Sequence, residues 1–243
     1  GFLLLSRTGR KIAIVSKLDQ SLPASGGVWS EVYVHEGDLK SILVDVLMEI
    51  NPKKIGINYS KNYRVADGLS YGGFLKIIDY LSGSPFRDRL VSAEDLILRL
   101  RGRKNQVEID LIRESIKQTD QIFSALNHFL RAGISGKEIH AFMLDQVCRA
   151  GLHTAWSKDH CPVVTVGPMP SMGHTSPGEN RILPGQVLQI DFGVRCHGYC
   201  SDFQRMFYFL EKDEIAAPND VVELFITVQR AIDMMKEHCR PGT

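Results

Sequence analysis

The sequence predicts a mixed α/β protein, of the α/β or α+β class, with two domains. In the first hundred residues, short apolar runs alternate with amphipathic helical patterns. Two longer helical patterns follow, and then a pair of strands rich in aromatic and β-branched residues. The basic segment 101–105 separates the two patterns. We therefore place one domain at 1–103 and the other at 104–243.

The first domain is predicted to be small. Asp38 is placed to cap its first helix, and Ser92 with Asp95 forms a plausible capping pair for its last. Gly68, Gly72 and Gly73 lack the spacing and the preceding strand of a dinucleotide-binding fingerprint. The predicted strands cover 2–5, 11–15, 29–34 and 54–58, and the predicted helices cover 38–50, 66–82 and 92–101.

The second domain begins with the clearest helical pattern, 106–132, which Gly133 ends. Ser135 and Glu138 predict a capping box for a second helix ending at Gly151. An apolar strand follows at 161–166, and then the strand pair. After it, Asn219 or Asp220 is expected to cap a helix that runs to about Cys239.

Composition narrows the classes of function. The chain has 243 residues, 44% hydrophobic and 23% charged, with a net charge of +1. A net charge this close to zero gives no overall electrostatic attraction to nucleic acid or to a membrane surface. No apolar run approaches the ~18 residues that are needed to span a bilayer. Five cysteines without a paired framework indicate a reducing, cytoplasmic location. Cys196, His197 and Cys200 lack the second pair of a zinc finger, so we set zinc-finger chemistry aside.

Asp191 and Asp202 lie on the two strands of the pair, which we interpret as an antiparallel hairpin. If Cys196 and His197 form its tip, Asp191 faces Asp202, with Cβ atoms ~4.5–5.5 Å apart. A bulged loop that uses Gly198 would shift this pairing by one residue. Facing carboxylates need a compensating charge, and two divalent cations ~3.5–4 Å apart would supply it. In the plainer alternative Asp191 caps or forms a salt bridge, and Asp202 is an ordinary surface residue.

Three pieces of this region, in order and at the right separations, carry a resemblance to a known family. The stretch 183–193, LPGQVLQIDFG, resembles the turn and first metal strand of the pita-bread metallopeptidases. The stretch 198–202, GYCSD, resembles their second metal strand at the same Asp-to-Asp spacing. His174, three residues before Pro177, falls where this family places a substrate-binding histidine. The resemblance is to Xaa-Pro aminopeptidases and prolidases and, more distantly, methionine aminopeptidases.

The resemblance implies a small creatinase-type N-terminal α/β domain followed by part of a pita-bread catalytic domain. It also implies a metallopeptidase that cleaves Xaa-Pro bonds with a water activated by two metal ions, manganese, cobalt or zinc. Asp191 and Asp202 would be metal ligands, and His174 would hold the substrate and act in catalysis. The implied partner is a peptide with proline in second position, and the implied assembly is a homodimer.

The sequence also departs from the family pattern. The family uses five protein ligands, and the later histidine and two glutamates have no match, so we expect a chain that is truncated at both ends and inactive alone. Gln204 and Met206 stand where many relatives carry threonine, and His160 stands where an aromatic residue is common. Two alternatives stay open. One is a metal-free creatinase-like hydrolase, and the other is a non-catalytic pita-bread binding domain.

Overall fold

Two structural units share the chain, Gly1–Lys104 and Asn105–Thr243. The computed structural model describes residues 1–21, 23, 26–167 and 178–240. Each unit has its own apolar core, as expected of segments that fold around separate hydrophobic clusters.

The first unit contains two small sheets. The strands β1 (Phe2–Leu5), β2 (Lys11–Ser16) and β3 (Glu31–His35) form a sheet in which β2 pairs antiparallel with β1 and parallel with β3. The strands β4 (Ile55–Ile57) and β5 (Leu90–Ser92) form a parallel pair. Sequence analysis predicted β4 within 54–58 but did not predict β5.

Among the described residues of the first unit, the α-helices with complete bounds are α1 (Leu39–Ile50), α2 (Tyr71–Tyr80) and α3 (Glu94–Gly102). The predicted cap of α1 is confirmed, since Asp38 Oδ1 accepts from the Ser41 backbone N–H at 3.1 Å. The predicted capping pair of α3 is wrong. Ser92 ends β5, the N-cap is Ala93, and the hydroxyl of Ser92 accepts from the backbone of Glu94.

The second unit begins with the helices α4 (Gln106–Phe129) and α5 (Gly136–Arg149), and it ends with α6 (Asn219–His238). The capping box predicted for α5 is confirmed, with both of its reciprocal hydrogen bonds between Ser135 and Glu138. The cap predicted for α6 is wrong. Pro218 is its N-cap, and Asn219 and Asp220 belong to its first turn.

Six strands form two three-stranded sheets beside these helices: β6 (His153–Thr154), β7 (Val163–Val166), β8 (Val187–Phe192), β9 (Val194–Cys196), β10 (Tyr199–Cys200) and β11 (Phe203–Tyr208). The sheet orders are β10–β9–β6 and β11–β8–β7. Leu188, Ile190 and Phe192 alternate along β8 and are fully buried in a core that also includes Leu126 of α4 and Met143 of α5. The other face of β8, at 187, 189 and 191, is only partly buried.

The helix α6 differs from α4 and α5 because none of its residues is buried. Its apolar residues are exposed to solvent: the exposed fraction is 57% for Phe225 and 60% for Val228. Among the described helices, none combines the length and the apolar character that crossing a membrane requires.

Candidate metal-binding site

The hairpin that carries the two aspartates turns at a different place from the one predicted. Tyr199 pairs with Cys196, so His197 and Gly198 form the two-residue tip. Both have positive φ angles, 50° and 84°, as a type I′ hairpin turn requires. The predicted tip, Cys196 with His197, is therefore displaced by one residue along the chain.

The register changes accordingly, and the predicted pairing of the carboxylates is wrong. Asp191 lies opposite Gln204, and Phe192 lies opposite Phe203. Moving the tip by one residue moves every pairing by two, and the bulged alternative, with its offset of one, is also excluded. The pairs β9–β10 and β8–β11 follow one common register, which places Asp202 opposite Gly193.

The new register keeps the two aspartates close to each other along the hairpin. Asp202 immediately precedes β11 and is two residues from Gln204, the partner of Asp191. In a regular ladder this offset corresponds to Cα atoms ~7–8 Å apart. The ladder is interrupted just before Asp202, because the Val194 backbone N–H donates to the Ser201 hydroxyl.

Asp191 is the more enclosed carboxylate. It sits between Val163 of β7 and Gln204 of β11, and its Oδ2 accepts from Gln204 Nε2 at 3.3 Å. The fully buried Cys161 lies nearby, with its Sγ 3.5 Å from the carbonyl oxygen of Gly193. Burial raises the pKa of the Cys161 thiol, and the negative charge of Asp191 raises it further. Cys161 is thus held as a neutral thiol beside the carboxylate.

Asp202 is exposed, and its position is set by the backbone that precedes it. Ser201 is buried, and its backbone N–H donates to the carbonyl of Val194 at 3.0 Å. Its hydroxyl accepts from the backbone N–H of Val194 at 2.9 Å and lies 2.6 Å from the Thr119 hydroxyl on α4. Sequence analysis missed Ser201 and Thr119. The sequence offers one indication for Thr119: it lies three residues before Ile122, and this spacing puts it on the apolar face of α4, which packs against the sheet.

Gly193, between β8 and β9, lies directly against the backbone of Ser201. A Cβ atom built on Gly193 would lie 2.0 Å from the carbonyl oxygen of Ser201 and 3.1 Å from the Cβ of Ala155. Since backbone atoms cannot move aside as a flexible side chain can, only glycine fits at this position. Sequence analysis used this glycine only as part of a motif.

The donor chemistry of the two aspartates fits divalent cations, which prefer carboxylate oxygen. The described residues contain no group of three or more His, Cys, Asp or Glu placed to hold an ion, so neither Cys196 nor Cys200 joins the two aspartates in such a group. Cys196 shares a face with Tyr199, whereas Cys200 lies on the opposite face, with its thiol sulfur 3.8 Å from the carbonyl oxygen of Ala155. His174 lies outside the described residues.

Comparison with known proteins identifies the family. The profile of metallopeptidase family M24 matches residues 110–243, more than half of the chain. The chain belongs to metallopeptidase family M24. The match covers α4, α5 and the hairpin with both aspartates, so the site belongs to the family domain.

Two curated proteins that are similar to this M24 chain are named as peptidases. The uncharacterized peptidase YqhT of Bacillus subtilis is 24% identical over 217 residues, which cover 87% of this chain and 55% of YqhT. The probable dipeptidase PepE of Mycobacterium tuberculosis is 26% identical over 179 residues, which cover 73% of this chain and 44% of PepE. The chain thus spans about half the length of these relatives.

Solved structures confirm the fold. The Xaa-Pro dipeptidase from Bacillus anthracis superposes with a TM-score of 0.70 at 21% identity, over 94% of this chain and 59% of that protein. The X-Pro aminopeptidase from Thermotoga maritima gives a TM-score of 0.67 at 20% identity, over 94% and 59% of the respective chains. The mixed α/β architecture and the pita-bread fold predicted for this family are therefore confirmed.

Proposed function

We propose that this M24 chain is part of a metal-dependent peptidase that acts on Xaa-Pro bonds. The observation that carries the proposal is the strand pairing within the family domain, which places Asp191 opposite Gln204, two residues from Asp202. The names of the similar structures, Xaa-Pro dipeptidase and X-Pro aminopeptidase, support the bond type.

The chain's own residues would do three things in this reaction. Asp191 would present an oxygen whose direction is set by the amide of Gln204. Asp202 would present a second oxygen from the exposed side of the hairpin. His174, through a ring N–H, would bind the substrate carbonyl and stabilise the negative charge that develops on its oxygen.

The proposed cofactor is a pair of divalent cations, manganese, cobalt or zinc. When bound, such ions supply a water of lowered pKa and polarise the carbonyl that is attacked. Asp191 and Asp202 are the residues of this chain that would hold them, and the further ligands implied by the family pattern have no counterpart among the described residues.

Binding of Mn²⁺ to the 243-residue chain, followed by electron paramagnetic resonance, tests the metal assignment. We expect binding that weakens at least tenfold in Asp191→Asn and in Asp202→Asn. Asp213→Asn is the matched control, because Asp213 is an exposed aspartate in the loop after β11. Equal Mn²⁺ affinity in wild type, Asp191→Asn and Asp202→Asn would contradict the assignment, and no binding by wild type would favour the non-catalytic alternative.

Substrate class is tested separately with Mn²⁺-loaded protein. We expect the 243-residue chain alone to cleave neither Ala-Pro nor Ala-Ala, because the later histidine and glutamates of the family pattern have no match in it. Substrate class is therefore read from binding: Ala-Pro added as a ligand is expected to change the Mn²⁺ spectrum in wild type but not in His174→Ala, and Ala-Ala is expected to change it in neither. A spectrum that responds equally to Ala-Pro and Ala-Ala would refute the proline preference.

A further inference from the structure

A chain of buried hydroxyl groups joins helix α4 to the peptide that precedes Asp202. Thr119 is fully buried, and its Oγ1 donates to the carbonyl of Ser115 at 3.0 Å. In the 2.6 Å contact between the Thr119 and Ser201 hydroxyls either oxygen can donate, since the Ser201 hydroxyl also lies 3.3 Å from the Val194 carbonyl as a donor. Ser201 Oγ also accepts from the backbone N–H of Val194. The result is a continuous chain of hydrogen bonds between β9 and α4.

The same helix face binds the hairpin at two further points. Ser115 donates its hydroxyl to the backbone carbonyl of Tyr199 at 2.8 Å, and the Tyr199 hydroxyl donates to Glu108 Oε1 at 2.9 Å. Glu108, Ser115 and Thr119 are separated by seven and four residues, so they share one side of α4. The helix therefore binds 199–201 through a row of polar contacts beside its apolar core contacts.

The peptide of Ser201 is confined from two sides. On one side its hydroxyl is bound by Thr119 of α4. On the other, its carbonyl lies over Gly193, where no Cβ atom could be accommodated. This carbonyl belongs to the peptide bond that joins Ser201 to Asp202. The orientation of the peptide bond between Ser201 and Asp202 is therefore fixed by these contacts, whatever the Asp202 side chain binds.

We propose that Thr119 is a positioning residue for Asp202, acting through Ser201. The carboxylate of Asp202 is exposed, so neighbouring side chains restrict it less than the packing around β7 and β11 restricts Asp191. The direction of the Asp202 carboxylate therefore depends on the backbone that carries it. A functional group generally has to be held within about 0.5 Å and 10–20° of its productive geometry. The consequence for metal binding rests on the proposed function, whereas the consequence for the backbone stands without it.

The experiment compares Thr119→Val, which keeps the shape and removes the hydroxyl, with Thr119→Ser, which keeps the hydroxyl. Thr227→Val is the matched control, since the Thr227 hydroxyl donates to the carbonyl four residues earlier on the exposed helix α6. Two quantities are measured on the 243-residue chain: Mn²⁺ affinity by electron paramagnetic resonance, and amide hydrogen exchange of Ser201 relative to Leu188 and Ile190 in β8. Ser201→Ala serves as a second variant if Thr119→Val does not fold.

We expect Thr119→Val to weaken Mn²⁺ binding about tenfold, the lower end of the effects typical of groups that orient metal ligands. We also expect it to speed exchange at Ser201 more than at Leu188 and Ile190, and Thr119→Ser to restore both. Equal acceleration at all three amides would show a general loss of stability and overturn the proposal, as would wild-type values in Thr119→Val. If wild type binds no Mn²⁺, the proposed function fails, and the exchange pattern alone decides whether Thr119 positions Asp202.

Discussion

Gln204 lies directly across the sheet from Asp191, and its side-chain amide donates to one oxygen of that carboxylate at 3.3 Å. The position that faces the first aspartate thus holds a neutral donor rather than the second aspartate. The contact supplies a hydrogen bond to Oδ2 of Asp191 without adding negative charge beside it. This relationship makes position 204 a sensitive reporter of charge in the site.

Changing the charge at position 204 is expected to change stability in opposite directions. Gln204→Glu places a like charge opposite Asp191 and should lower the free energy of unfolding of the metal-free protein by ~0.5 kcal/mol. Gln204→Lys should raise it by a similar amount through an ion pair. Urea unfolding at pH 7 measures both. Shifts of the same sign would show that residue 204 does not face Asp191.

Gly193→Ala is expected to be the most disruptive single-methyl change in the hairpin. Its Cβ atom would lie 2.0 Å from the carbonyl oxygen of Ser201, so the strands must separate, at a cost of ~3 kcal/mol or more. Gly72→Ala is the control, because nothing lies within 4 Å of a Cβ there and alanine favours its helix. Thermal unfolding should give a lower Tm for Gly193→Ala and an unchanged or higher one for Gly72→Ala.

Ser135→Ala tests the start of α5. The Ser135 hydroxyl accepts from the Glu138 backbone N–H at 3.2 Å, and removing an N-cap typically costs ~1 kcal/mol. Ser124→Ala is a matched control, since the Ser124 hydroxyl binds a carbonyl on the exposed side of α4. Urea unfolding followed by circular dichroism should show a loss for Ser135→Ala alone. Equal losses would mean that capping does not explain the effect.

The capping carboxylate should also make stability depend on pH. The Ser135 backbone N–H and then the Ser135 hydroxyl hold the pKa of Glu138 below its ordinary 4.5, and the nearby Arg181 lowers it further. A lowered folded-state pKa gives stability that is complete above the unfolded pKa and is lost as pH falls through the folded one. The stability advantage of wild type over Glu138→Gln should therefore be full at pH 7 and shrink below about pH 4.5. A difference that is constant from pH 7 to pH 3 would contradict this.

The sequence was most informative where one residue type determines local structure. Asp38 and the Ser135–Glu138 pair were predicted as caps and are caps, because a short polar side chain before an apolar period has few other roles. The strand that carries Asp191 was also predicted, because aromatic and β-branched residues are dense in this region.

The register was beyond the sequence argument, because it depends on which two residues accept positive φ. Gly198 was an obvious candidate, but positive φ is uncommon for residues other than glycine, and histidine at position 197 is less frequent there than glycine. The available signal was that two-residue hairpin turns favour glycine in the second position, as in Asn-Gly turns, and the pair His197-Gly198 has glycine second. The roles of Thr119 and Gly193 depend on contacts between segments that are distant in sequence, and a single sequence does not report such contacts.

The shared register of β9–β10 and β8–β11 makes the paired segments intolerant of changes in length. A residue inserted within a strand slips the pairing by one and turns the side chains that follow to the other face of the sheet. A residue inserted at His197 or Gly198 can instead be taken up by a three-residue tip. Loop engineering should therefore be confined to the tip, where it leaves Asp191 opposite Gln204.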